Sequence, residues 1–282
     1  PIGVQGEEDG MMSENKAEKR KVSASREDNA AYMNKVLPVQ ESFDVIQRDM
    51  LIGGRMSSFY FIDGFTKDEV MLKIMDSMMK VKEEEMPADA AQFTRTCVPY
   101  VEVEVLEDYD AVLRGVLSGV TCLFIDGYEG CIAIDCRTYP ARSVDEPSKD
   151  KSLRGSRDGF VETIVFNTAL MRRRIRDPRL VMEMLEVGDS SRTDVAVCYM
   201  KDRADQELLH NVISRIRKIK VGDLRMNQQS LAECLFRRKC TILSRSLNIQ
   251  SGRIQRQPVS WRKGGDPGGQ LAVCYDPSYF HF

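Results

Sequence analysis

Residues 154–179 read RGSRDGFVETIVFNTALMRRRIRDPR. A turn-like Gly155-Ser156 leads into Phe160, Ile164, Val165, Ala169, Leu170 and Ile175, which recur at helical spacing. One α/β-like block precedes this stretch and another follows it, so it predicts a helix joining two halves. Seven arginines, at 154, 157, 172, 173, 174, 176 and 179, are interleaved with Asp158, Glu162 and Asn167. On residue types alone the plain reading is an amphipathic helix whose arginines are solvated or paired with carboxylates. The sharper one is a coupling or anion-contacting segment.

The whole chain has 282 residues, enough for one large domain or two small ones, and 42% hydrophobic residues, enough to bury cores. Its net charge of −2 argues against a nucleic-acid binder, the class the arginine run would otherwise suggest. None of the eight cysteines forms a Cys-x-x-Cys pair. Cys122, Cys131, Cys136 and Cys198 sit in apolar runs where reduced cysteine packs as a small hydrophobe. A zinc site or disulfide framework is therefore not expected, and a reducing compartment is. Of the two histidines, His210 lies on a charged helix and His281 at the end of the chain. No phosphate loop, Ser-His-Asp order or metal spacing appears, so neither catalysis nor a cofactor is expected. No 18-residue apolar run is present, and no signal peptide. Because the first methionines are Met11 and Met12, the first ten residues read as lying upstream of the true start.

In order along the chain, residues 1–37 are polar and charge-rich and read as disordered or a loose helix. A first α/β lobe is expected over 42–142. Gly53-Gly54 turns into a buried strand at 57–62, which Asp63-Gly64 ends. A helix face of Val70, Leu72, Ile74, Met75, Met78 and Met79 follows, with Thr66 and Asp68 as capping candidates. Glu83-Glu84-Glu85 and Pro87 mark a loop. The alternating YVEVEVL at 100–106 predicts a half-exposed strand. A helix at 108–117 closes at Ser118-Gly119, and 120–125 with 131–136 form a hairpin around 126–130. Residues 143–153 are a linker rich in proline and charge. The connecting helix and a second lobe span 154–239, with Gly188 closing 180–187, a buried strand at 194–199 and helices at 205–219 and 230–236. Strand, turn and helix recur in both halves, at 57–79 and 193–219, which suggests a duplicated unit. The fold class is α/β, two similar lobes joined by the arginine-rich helix, the second incomplete: the hairpin of the first lobe has no counterpart, and 240–282 shows no periodicity.

Asp63 and Asp126 each follow an apolar strand, the place where α/β sheets often bind ligands, and so mark a candidate cleft. Asp-Gly is also a common turn pair, and that reading is preferred. Arg172, Arg173 and Arg174 suit either anionic lipid headgroups or bidentate arginine–carboxylate contacts that tie two lobes together.

The segments FYFIDGFTKDEVMLKIMD (59–76), PYVEVEV (99–105), LFIDGYEGCIAIDCRTYPAR (123–142), RGSRDGFVETIVFNTALMRRRIRDPRL (154–180) and TDVAVCYM (193–200) resemble the spore germination A-subunit family of GerA type, nearest its stage V sporulation protein AF branch. The resemblance covers about 42–239. It implies a soluble two-lobed N-terminal domain ahead of a multi-helix membrane domain, and germinant response and ion release from bacterial endospores, without enzymatic activity. Expected partners are other spore germination subunits, further copies in a homo-oligomer, and the inner spore membrane through the C-terminal domain, with this part on the cytosolic, spore-core side. Arg154, Arg157, Asp158, Glu162, Asn167, Arg172, Arg173 and Arg174 are the motif positions to which the resemblance gives structural or inter-lobe coupling use. The runner-up is a soluble nutrient-binding module with its site between the lobes.

The chain departs from the family over 240–282, read here as a frameshifted tail in place of the membrane domain. With suitable synonymous codons, 240–263 reads one frame over as YNPFPKFKYTERPDTASASVLEEG, and 266–281 reads in the remaining frame as ILVDNSPSVMILPTSI. Both resemble the family, and ILVDNSPSVMI mirrors LFIDGYEGCIAI at 123–134.

Overall fold

The computed structural model of the protein describes residues 20–138, 163–188, 192–219 and 271–275. Gly53 and Gly54 adopt φ of +52° and +75°, the double left-handed geometry that a two-residue hairpin turn requires. They join β1 (Val45–Ile52) to β2 (Arg55–Ile62) in unbroken register from Val45↔Ile62 to Ile52↔Arg55. β4 (Thr121–Ile125) pairs with the other side of β2, β5 (Cys131–Ile134) with β4, and β3 (Val103–Leu106) with β5. The result is an antiparallel sheet of order β1-β2-β4-β5-β3.

Helices cover both faces of this sheet, so every residue of β4 and β5 is buried. Side chains alternate between two cores, as the period of a strand dictates. Phe59, Leu123, Ile125, Ile132 and Ile134 pack with Ile74, Met78 and Phe93, from α2 (Asp68–Met79) and α3 (Ala90–Thr96). Tyr60, Ile62, Cys122, Phe124 and Cys131 pack on the opposite face with Met33, Val112 and Val116, from α1 (Arg26–Val36) and α4 (Tyr109–Ser118). α4 lies one residue later than the expected 108–117: Asp108 is its cap, accepting from Ala111 N at 2.7 Å, and Gly119 ends the helix at φ +99°. β3 is the half-exposed strand its alternation predicts.

Three local expectations change. The charge-rich region before residue 37 contains α1, whose Met33 is fully buried and whose Asn29 accepts from Tyr109 Oη at 2.6 Å. One apolar stripe and a few polar anchors offset its hydrophilic composition. Neither Thr66 nor Asp68 caps α2: Lys67 occupies the cap without a side-chain bond, and Thr66 contacts Cys136 Sγ instead. Asp68 begins the helix, where its charge favours the positive end of the dipole. Finally, Glu83–Glu85 is a turn of 3-10 helix, followed by α3, which Asp89 caps through Gln92 N at 2.7 Å.

The second lobe repeats the first. β6 (Leu180–Val187) and β7 (Thr193–Met200) form a hairpin paired from Leu180↔Met200 to Val187↔Thr193, and α6 (Gln206–Arg217) follows as α2 follows β2. β8 (Leu271–Tyr275) pairs antiparallel with the far side of β7, in the place β4 holds beside β2. The tail therefore contributes a strand where no periodicity was expected. Among the described residues nothing continues this sheet beyond β8, whereas β5 and β3 continue the first. The helix expected at 230–236 lies outside the described residues.

α5 (Ile164–Arg174) stands between the lobes. Ala169 belongs to the core of the first lobe, while Ile164 and Met171 pack with Leu180, Met182, Ala196, Cys198 and Met200 of the second. Gly64 passes so close that a Cβ there would stand 3.0 Å from Val165 Cγ1 and 3.1 Å from Ala169 Cβ. A helix buried on two sides shows no simple amphipathic stripe, which corrects the amphipathic reading of this connecting helix. The stretch at 154–162 lies outside the described residues.

Candidate functional site

Arg172, in the last turn of α5, exposes none of its side chain. A buried guanidinium needs its charge and its donors answered together. Its Nε donates to Asp44 Oδ2 at 2.7 Å and its Nη2 to Asp44 Oδ1 at 3.1 Å, a bidentate pair with a carboxylate that is itself buried. Nη2 also donates to Leu180 O at 3.0 Å and reaches Ser42 Oγ at 3.4 Å, and Nη1 donates to Asp177 O at 3.1 Å. The chain turning back through Asp177 thus supplies main-chain acceptors just ahead of β6.

Ser42 completes the network. Its hydroxyl donates to Asp44 Oδ1 at 2.5 Å and accepts from Met182 N at 2.9 Å. Phe43 N donates to Met182 O at 3.0 Å, and the Phe43 side chain packs into the second-lobe core. At the rim, Lys201 Nζ meets Glu41 at 2.5 Å. Residues 41–44, just before β1, are therefore seated in the second lobe while Asp44 O accepts from Asp63 N at 2.8 Å in the first. The two lobes meet at a polar knot inside an apolar seam.

Of the motif arginines, Arg172 is at this knot and unavailable to lipid headgroups, Arg173 is exposed and Arg174 is half-buried. Asn167 is buried on α5. Arg154, Arg157, Asp158 and Glu162 lie outside the described residues. The cleft of Asp63 and Asp126 does not form. In an antiparallel sheet, successive strand ends point in opposite directions: Asp126 N donates to Met56 O, at the start of β2, while Asp63 follows its end. Seven residues of strand, about 23 Å, separate them. Asp126 is exposed and its Oδ1 accepts from Arg26 N at the start of α1, at 3.1 Å. Asp63 is half-buried beside the knot; burial pushes its carboxyl above the usual carboxylate range, the Gly64 amide opposes this, and the charges of Asp68 and Asp44 add to it.

Asp44 and Ser42 were not singled out from sequence. A carboxylate inside the apolar run Phe43-Asp44-Val45-Ile46 was the available signal, because an aspartate buried with its neighbours requires a partner. An open cavity of about 470 Å³ adjoins the knot, lined by residues 39–43, 45–47, Glu183 and Met184. Among the described residues no cluster of three or more His, Cys, Asp or Glu side chains is arranged to hold a metal ion. His210 is exposed on α6. Cys97, Cys122, Cys131 and Cys136 are free thiols, and burial pushes the Cys131 thiol up. No described helix is long and apolar enough to cross a membrane.

Residues 32–250 match the model of the Bacillus/Clostridium GerA spore germination protein family. Stage V sporulation protein AF of Bacillus subtilis is 34% identical over 223 residues, covering 79% of this chain and 45% of that protein. Spore germination protein B1 of the same organism is 30% identical over 173 residues, 58% of this chain and 34% of that protein. The chain thus spans less than half the length of these relatives. The crystal structure of the N-terminal domain of the A subunit of the Bacillus megaterium spore germinant receptor GerK3 has the same fold, with a TM-score of 0.53 and 19% identity over 72% of this chain and 75% of that one.

Proposed function

This chain belongs to the GerA family of Bacillus/Clostridium spore germination proteins, and we propose that its two lobes form a coupling unit for germinant response. In this reading the lobes act together with other germination subunits and further copies of the chain. The membrane part of a full-length family member, in the inner spore membrane, carries ion release, and the lobes lie on the spore-core side. The reading is of a non-enzymatic module.

One observation supports it above the others: the fully buried Arg172–Asp44 pair across the junction. An apolar seam alone would hold two lobes together. A bidentate pair with an added hydroxyl and two main-chain acceptors also fixes their relative orientation, since guanidinium and carboxylate bond only in one plane. Movement of either lobe against α5 would strand a charge, so the junction favours discrete arrangements over gradual drift. Arg154, Arg157, Asp158, Glu162 and Asn167 are assigned to the same coupling role.

The test is made in spores of the producing organism, by placing Arg172→Ala in the gene and following loss of optical density and cation efflux after germinant addition. Slowed germination with the protein still present at normal level supports the reading. Normal germination with the variant present contradicts it. The cavity beside the knot favours a second reading, a small-nutrient site, because its volume falls in the range of roughly 300–1,000 Å³ of small-molecule pockets. A rise in melting temperature with an amino acid or a sugar would support that reading.

A further inference from the structure

α2 and α6 hold the same place in the two lobes, each twelve residues long and each following its hairpin. Laid over one another, they agree at the core: Met71, Ile74 and Met78 match Leu209, Val212 and Ile216, all buried or half-buried. They disagree at the outward positions. Where α6 has the exposed His210 and Arg217, α2 has Leu72 and Met79, 69% and 67% exposed. Half-buried Met75 stands between these two, so residues 72, 75 and 79 form one apolar stripe along the helix. A single exposed leucine needs no explanation. A stripe of three is different, because α6 shows that the repeat packs its sheet with polar groups at the outer two places. The surplus apolar groups of α2 therefore mark a contact surface and not a demand of the fold.

The charge around the stripe restricts what covers it. Asp68 and Glu69 stand at the start of α2 and Glu83, Glu84 and Glu85 follow its end, and none of the five is ion-paired among the described residues. Lys67, Lys73 and Lys82 offset part of this locally. The first lobe as a whole stays acidic: residues 20–138 carry 13 Lys and Arg against 21 Asp and Glu, a net of −8. That disfavours an anionic bilayer and the same lobe of another copy alike. α5 and the second lobe have the opposite sign, with 11 Lys and Arg against 7 Asp and Glu over residues 163–188 and 192–219, a net of +4. They also carry Phe166, 44% exposed, the one large apolar side chain so open among the described residues outside the first lobe. Arg176, just past the same helix, is exposed; its Nε donates to Arg173 O, and no described carboxylate answers its charge. α2 covers one face of the first sheet, whereas α5 reaches the core on the other face through Ala169 and contacts α4. The two surfaces therefore lie on different sides of one molecule. We propose that the α2 stripe docks the Phe166–Arg176 side of a second copy of this chain, a head-to-tail contact that repeats from copy to copy. This rests on the reading that further copies of the chain act together, and names the surfaces they use.

Sedimentation velocity of the purified chain reads the contact, with circular dichroism and melting to check the fold of each variant. The parent should associate reversibly beyond the dimer, because a head-to-tail contact leaves one surface unused at each end, and salt of about 0.5 M should weaken it. Leu72→Asp and Phe166→Asp should each weaken association about tenfold or more. Glu84→Lys combined with Glu85→Lys, on the open surface, should weaken it and reduce its salt dependence. Mixing is the decisive arm. The Leu72→Asp chain keeps its Phe166 surface and the Phe166→Asp chain keeps its stripe, so together they should form a one-to-one dimer that grows no further. If either position fails the fold check, Met79→Asp and Arg176→Glu take their places in the same arm. A chain still monomeric at about 1 mM overturns the proposal. So does a mixture that restores no dimer, which would make the contact one between like faces. Association untouched by either substitution overturns these surfaces while leaving assembly of copies standing, and Arg172→Ala in spores reads the coupling role separately.

Discussion

Arg172 and Asp44, 128 positions apart in sequence, meet in a bidentate pair at 2.7 and 3.1 Å with neither side chain open to solvent. Everything else at the lobe junction is arranged about this contact. Ser42 occupies an oxygen of Asp44, Leu180 and Asp177 supply acceptors to Arg172, and Met182 bonds both Ser42 and Phe43.

Breaking the pair leaves an unpaired buried charge. Arg172→Met is expected to cost about 3–5 kcal/mol of unfolding free energy, measured by urea denaturation. Asp44→Leu combined with Arg172→Met should recover part of that loss: no buried charge is left unpaired, although the Leu180 and Asp177 carbonyls and the Ser42 hydroxyl each lose a partner. A double variant as unstable as the sum of the singles would show that the charges act independently.

Asp63 sets a pH dependence at the same place. Its folded-state pKa is raised, chiefly by burial, so its favourable contribution is complete below the unfolded pKa and is lost as pH rises through the folded one. Asp63→Asn should therefore stabilise the protein at pH 7 relative to the parent and flatten the stability profile just above the ordinary carboxylate range. Paired melting curves at pH 4 and pH 7 read this directly, and an unchanged profile would count against it.

Asp135 has the opposite sign. The Arg137 guanidinium, bonded to both its oxygens, holds its carboxyl below the ordinary range. Its contribution is present at neutral pH and fades as pH falls through the lowered pKa. Arg137→Gln should remove that acid-side loss without altering the behaviour of Asp63.

Gly64 lies against α5 at φ +78°, where a Cβ would stand 3.0 Å from Val165 Cγ1. Gly64→Ala combines left-handed strain of about 1–2 kcal/mol with a wedge at the lobe seam. The loss in a melting experiment should exceed that for Gly115→Ala, where the nearest atom would be 3.6 Å away and φ is ordinary.

Met33 tests the part of the chain whose composition misleads. Met33→Ala should cost about 2–5 kcal/mol, because the side chain is fully buried against the first sheet. A cost near zero would return α1 to the loose segment its charges suggest.

These residues show what was legible in the chain and what was not. The hairpin of β4 and β5, the caps of α4 and the repeat of strand, turn and helix rest on local signals: apolar runs, Asp108, Gly119 and paired glycines. α1 was obscured because its helix is stabilised by Met33 and by polar anchors to Tyr109 and Asp126, distant residues that leave no mark on local composition. Asp63 and Asp126 suggest one cleft only while strand direction is ignored; each precedes a glycine at positive φ, as the preferred turn reading requires. Arg172 was visible as a member of an arginine run suited to binding lobes together, but its partner was not: Asp44 lies in the other lobe, and no local rule pairs residues over that distance.

The most direct test of the junction is native-state hydrogen exchange on the chain and on Arg172→Met, comparing amides of β2 and β4 with amides of β6 and β7. Coupled lobes predict that in the parent the two sets open with one common free energy. In the variant, β6 and β7 should exchange through a separate, cheaper opening while β2 and β4 keep their protection. Separate openings already present in the parent, or two sets that stay locked together in the variant, would contradict an Arg172–Asp44 pair that joins the lobes into one unit.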